Sequence, residues 1–187
     1  MRWRLKAVAV AAVTAMVTVA GCSQTVSGTA RRAHPSVPDP GRSYGYVDDR
    51  CGLLTDSTIQ EILAADHVVR PYSGAVCQYV LSRGSGPDVG AAAPPVTIDV
   101  TYSWFETGSL DRERALAKQR GAQITNTVLK RHDAFLARRT VTGAGCSATA
   151  AAGPGVLSWW VQFRGQTNVD SCRDAEKLLA ATLSSEM

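Results

Sequence analysis

The clearest periodicity in the chain lies in residues 96–104, where Val96, Ile98, Val100, Tyr102 and Trp104 alternate with Thr97, Asp99, Thr101 and Ser103. A period of two puts successive side chains on opposite faces of a strand. The stretch therefore predicts a strand with one apolar and one wet face, as in an antiparallel sheet covered on one side. Residues 155–163 repeat the pattern: Leu157, Trp159, Val161 and Phe163 face inward, leaving Trp160 on the other face. Residues 75–82 predict a third strand that buries Cys77 and Tyr79. Weaker strand candidates cover 134–141 and 146–151, separated by Gly143 and Gly145.

Three segments have helical spacing. Thr55 is a fitting N-cap, Asp56 suits the first turn, and Ile59, Ile62 and Leu63 form an apolar stripe that should end near Asp66, before Pro71. Ser109 caps a second helix running to about Arg120, with Asp111, Arg112, Glu113, Arg114 and Lys118 on its solvated side. Asp170 or Ser171 opens the last helix, on which Cys172, Ala175, Leu178, Leu179 and Thr182 share a side. Helix, strands, helix, strands, helix is the order of an α+β sandwich, an antiparallel sheet with packed helices.

The N-terminus follows a different rule. Arg2, Arg4 and Lys6 precede an apolar stretch from Ala7 to Ala20, then Val19-Ala20-Gly21-Cys22. A positive n-region, a short apolar core and small residues before a cut site make a secretory signal peptide over residues 1–21. The apolar stretch falls short of the roughly 20 residues a membrane-spanning helix needs. Val-Ala-Gly-Cys resembles the lipobox of bacterial lipoproteins, in which the cysteine thiol takes a diacylglyceryl group and becomes residue one. Lipidation is therefore expected at Cys22, with the chain held at the extracytoplasmic face of the cell membrane. Residues 22–46, with Pro35, Pro38 and Pro40, read as lipidated N-terminus and flexible linker, and residues 47–187 as a single domain.

Charge looks different once the signal is set aside. The whole chain has 20 Lys+Arg against 16 Asp+Glu, and three of the bases lie in residues 1–21. The mature part is nearly balanced, so there is no electrostatic case for nucleic acid. Four cysteines remain after Cys22: Cys51, Cys77, Cys146 and Cys172. An even count in an exported chain reads as two disulfides, with three possible connectivities. Cys51–Cys77 and Cys146–Cys172 are favoured, since each would fasten a helix start to a nearby strand. The cysteines lack the spacing of a metal site.

No catalytic motif is evident, so neither an enzyme nor a cofactor is expected. His34 falls in the linker, while His67 and His132 read as surface residues near helix ends. The sharpest candidate for contact with a ligand or partner is the corner after the 96–104 strand. There Trp104 points inward, Phe105 outward, and Glu106 and Ser109 sit at a helix entrance. Phe105 and Glu106 would form an aromatic edge with a polar rim, suited to an apolar or amphiphilic envelope ligand. Trp160 is the second candidate, a binding patch if no helix covers it. The same residues also read as half-buried aromatics and ordinary helix capping.

Several blocks together resemble the mycobacterial lipoproteins of the LprB/LprC type, an actinobacterial family of unknown function. They are Val26 to Ala30, Cys51 to Thr55, Gly74 to Tyr79, Trp104 to Arg114, Trp159-Trp160, and Cys172 before the last helix. The resemblance implies a lipid-anchored envelope protein whose four later cysteines pair, with a fold similar to Mog1/PsbP-like domains. It brings no catalytic residues. Tyr79 stands where such relatives often carry Trp. The reading is a membrane-anchored binding or interaction module. Its expected partners are the membrane, through lipid on Cys22, and an envelope protein or lipid. The alternative is a carrier of an apolar or amphiphilic envelope ligand and, behind it, an uncharacterised enzyme.

Overall fold

The chain divides into one unit of residues 1–32 and another of 33–187. The computed structural model describes residues 37–84, 95–140 and 142–185, all within the second. In order they form α1 (Asp56–Ile62), β1 (His67–Tyr72), β2 (Val76–Arg83), β3 (Val96–Phe105), α2 (Leu110–Gln119), β4 (Gln123–Leu129), β5 (His132–Arg139), β6 (Gly145–Ala152), β7 (Gly155–Phe163) and α3 (Ser171–Ser184). The strands make one antiparallel seven-stranded sheet in the order β1-β2-β3-β7-β6-β5-β4. The chain lays down β1 to β3 as a meander and crosses through α2 to the far edge. It then returns as β4 to β7 until β7 pairs with β3. This is the α+β architecture that the sequence pattern implied.

The three helices begin where their caps are. The Thr55 hydroxyl accepts from Thr58 N at 3.2 Å, Ser109 Oγ from Arg112 N at 3.3 Å and Asp170 Oδ1 from Arg173 N at 3.3 Å. Each satisfies one of the donors that a helix start leaves unpaired.

On one face of the sheet, α1 and α3 cover an apolar core. Tyr79, Ile98, Val100, Tyr102, Trp159, Val161 and Phe163 come from the strands, and Ile59, Leu63, Ala175, Leu178 and Leu179 from the helices. Register brings Tyr102 opposite Trp159, and their ring centroids lie 4.7 Å apart. The Trp159 indole N–H donates to Thr182 Oγ1 on α3 at 2.9 Å, so a buried polar atom is satisfied. The Tyr102 hydroxyl donates to the Tyr44 carbonyl. Gly52, at φ +60°, lies under the Tyr102 ring, and a Cβ there would come within 2.7 Å of it. Glycine suits both the left-handed backbone and the close approach.

Both disulfides form as favoured. Cys51–Cys77 ties the segment before α1 to β2, and Cys146–Cys172 ties β6 to the start of α3. Beside the first, Arg70 donates to the Asp49 carbonyl at 2.7 Å and to its carboxylate at 2.6 Å, and lies 3.4 Å from Asp56. That guanidinium pins residues 49–56 against β1.

Four features depart from the sequence reading. β1 occupies a stretch left without an element, with Pro71 inside it; its register shifts between Val69 and Tyr72. Proline is tolerated there because β1 is an edge strand and the shift absorbs the missing donor. β4 is a second unforeseen edge strand, polar and largely exposed. It joins β5 through Lys130 and Arg131, both at positive φ (49° and 67°), a turn built without the Asn or Gly that usually marks it. Packed structure also starts before Val47: Tyr44 is fully buried, and its hydroxyl donates to Asp39. The Tyr44 anchor is joined by Arg42, which donates to the Ser185 carbonyl, and by Asp39, 3.6 Å from His132, in holding that Pro- and Gly-rich stretch down. His132, expected at the surface, is 3% exposed on β5, with Nδ1 2.8 Å from the Ala151 carbonyl.

Candidate ligand-binding cleft

The outer face of the sheet carries the polar half of each strand's alternation, and cross-strand register arranges it in rows. One row runs Phe135, Thr149, Ser158, Ser103, Val76 across β5, β6, β7, β3 and β2. The next runs Ala137, Ser147, Trp160, Thr101, Gln78. A third has Arg139 opposite Gly145. On β5, β6, β7 and β3 these side chains are short except for the aromatics and Arg139. Thr149 Oγ1 and Ser158 Oγ share a hydrogen bond of 2.8 Å.

α2 lies on this face, yet none of its residues is fully buried. Arg114 reaches from it to the sheet, its guanidinium 5.4 Å from the centroid of buried Phe135. Short floor residues beneath a lightly seated helix leave space, because nothing fills the gap that Leu or Val would fill in a core. The result is a cleft of about 590 Å³, floored by Thr101, Ser103, Ser147, Ser158 and Trp160. Glu113, Leu116, Ala117 and Arg120 line its helical wall at the i, i+3, i+4, i+7 spacing of one helix face. Arg112 and Arg139 complete the charged lining, so three arginines face one glutamate. Among the described residues, no ion pair or side-chain hydrogen bond engages these three guanidinium groups.

Trp160 owes its position to a glycine. A Cβ at Gly145 would meet the Trp160 ring at 2.6 and 2.8 Å, so the indole reaches over the start of β6 only because position 145 has no side chain. At the opposite end stands Phe105, 47% exposed, four residues along the paired strands. That interval is roughly 13 Å at strand rise.

The two aromatic candidates from the sequence thus reach one cleft: Phe105 and Trp160 share the outer face. Glu106 does not join them; it is exposed just past the end of β3, outside the lining. Trp104 packs against the core, half-buried. Cys51, Cys77, Cys146 and Cys172 are all in the disulfides. Cys22 and His34 lie outside the described residues. Among the described residues no three His, Cys, Asp or Glu side chains gather as metal ligands. No described helix is long and apolar enough to cross a membrane.

Arg112, Leu116, Arg120, Arg139 and the hydroxyl floor were not foreseen. The alternation showed which face of each strand was polar, but not that a helix would lie over that face. A second cleft of about 640 Å³ lies under the other side of α2, between Asp111, Arg114, Val128 and Asp133. It mixes charges and has no aromatic platform.

Compared with known proteins, residues 17–185 match a family described as "Protein of unknown function (DUF3558)". No curated protein and no solved structure matches the chain.

Proposed function

Starting from a chain that belongs to the DUF3558 family, whose function is not known, we propose a membrane-tethered envelope lipoprotein whose domain acts by binding, without catalysis. The tether is lipid on Cys22 at the extracytoplasmic face of the cell membrane, as in lipoproteins of the LprB/LprC type. Support for it comes from the signal-like N-terminus, the Val-Ala-Gly-Cys sequence, and two disulfides that need an oxidising compartment. Two acyl chains on one cysteine suffice for stable anchoring.

The observation that carries the binding half is the cleft under α2, where an indole and a phenyl ring share a floor of hydroxyl groups. Ligand sites combine an apolar platform with a few convergent polar groups, and this cleft has both. Its polar floor favours a ligand that makes hydrogen bonds over a purely apolar cargo.

Mature protein is expected to partition into the detergent phase, and the Cys22→Ala variant into the aqueous phase. If that variant kept its membrane association after signal removal, the tether would be excluded. Mass spectrometry of the chain purified from its own envelope should reveal a co-purifying molecule, absent from Trp160→Ala. Recovery of neither ligand nor partner would overturn the binding half.

A further inference from the structure

The cleft's charge is not spread evenly. α2 is ten residues long, roughly 15 Å at 1.5 Å per residue, which matches the strand interval between Phe105 and Trp160. Arg112 lies near the Phe105 end, since α2 begins just after that strand. Arg120 caps the other end of α2, and only Gly121 and Ala122 separate it from β4, whose first residue Gln123 pairs with Arg138. Arg139 is the next residue and sits opposite Gly145, the position the Trp160 ring overlies. Two arginines and an indole therefore gather at one end, and Glu113 stands further along the wall.

Unpaired guanidinium groups beside an aromatic face are a recognisable combination. The guanidinium fork suits phosphate, sulfate or carboxylate, which it can hold bidentately. The indole offers a flat apolar surface to a ring. Hydroxyls of Ser147, Ser158 and Thr101 supply donors and acceptors for polar substituents. A neutral apolar ligand would leave both arginines facing it without counter-charge.

We infer that the ligand of this cleft is an organic anion: an anionic group held by Arg120 and Arg139, on a ring that lies against Trp160. The inference rests on the binding reading above and names the chemistry of the same site. The anionic group has two possible sources, a lipid headgroup or a soluble molecule.

The test is calorimetric titration of the mature full chain, held in vesicles of neutral phosphatidylcholine, with three probes. Naphthyl phosphate carries ring and charge, naphthol the ring alone, and inorganic phosphate the charge alone. Naphthyl phosphate is expected to bind more tightly than either of the others. Arg139→Ala should weaken naphthyl phosphate about ten- to hundredfold, the range for hydrogen bonds to charged groups, and leave naphthol unchanged. Arg139→Lys should recover part of that loss. Trp160→Ala, which removes the indole and leaves the backbone beneath Arg139 untouched, should weaken both naphthyl probes. Thermal melts confirm that each variant is folded.

If naphthol binds as tightly as naphthyl phosphate, in a manner that depends on Trp160, the anion inference is overturned while the cleft remains a binding site. If no probe binds, or binding ignores both Trp160 and Arg139, the binding reading falls as well. Repeating the titration with phosphatidylglycerol in the vesicles separates the sources. Arg139-dependent competition from that lipid supports a headgroup, and undisturbed naphthyl phosphate binding supports a soluble anion.

Discussion

Replacing Cys51 and Cys77 by alanine is expected to lower the unfolding free energy by about 3.5 kcal/mol, and replacing all four bridged cysteines by about twice that. Each bridge closes a loop with a sequence separation of 26. In the chain-entropy view, the bridge acts by restricting the unfolded chain. A domain of this size is held by only about 5–15 kcal/mol in total. Loss of both bridges should therefore bring the domain to the edge of unfolding. Urea melts of oxidised and reduced protein would check this. Coincident midpoints would show that the bridges are incidental to stability.

The second large effect separates two adjacent tryptophans. Trp159 is fully buried between Tyr102 and α3, so Trp159→Ala leaves a cavity costing about 3–5 kcal/mol. It also strips the Thr182 hydroxyl, itself fully buried, of its donor, adding about 1 kcal/mol. Trp160 is half-buried in an open cleft, and Trp160→Ala should cost about 1 kcal/mol or less while removing the platform for a ligand ring. Chemical denaturation of the two variants measures the difference. Equal destabilisation would mean that Trp160 is core and that the cleft is a packing gap.

That contrast was legible from alternation alone, because a strand of period two must send neighbours to opposite faces. The same rule identified β2, β3 and β7, and cap residues located all three helices. It failed at β1 and β4, where edge strands with little burial show no apolar alternation, and where Pro71 and the Lys130-Arg131 turn carry misleading local signals. It failed too at His132 and Tyr44, whose burial is decided by segments distant in sequence. Of the cleft, Phe105 and Trp160 were legible as residues off the core face. The arginines were not, since nothing local reveals that α2 lies over β5 and β6. Glu106 stands at the entrance to α2, as read, but past the end of β3, where alternation no longer says which face a side chain takes. The Mog1/PsbP-like architecture implied by family resemblance has no matching solved structure to set beside it.

The join between β3 and β7 bears on how the domain assembles. Residues 98–105 pair with residues 156–163, so the centre of the sheet closes only after about fifty intervening residues have been brought round. Contacts of such long range slow folding, because the entropy of closing the chain is lost before the pairing rewards it. In a chain that emerges from its N-terminus, β3 precedes β7 and waits with one edge open until β7 arrives. Each disulfide, by contrast, lies wholly within one meander and its flanking helix, on one side of that join. Oxidation can therefore fix each half before the two halves meet, which shortens the search for the final pairing and limits the time an unpaired central strand is open to aggregation.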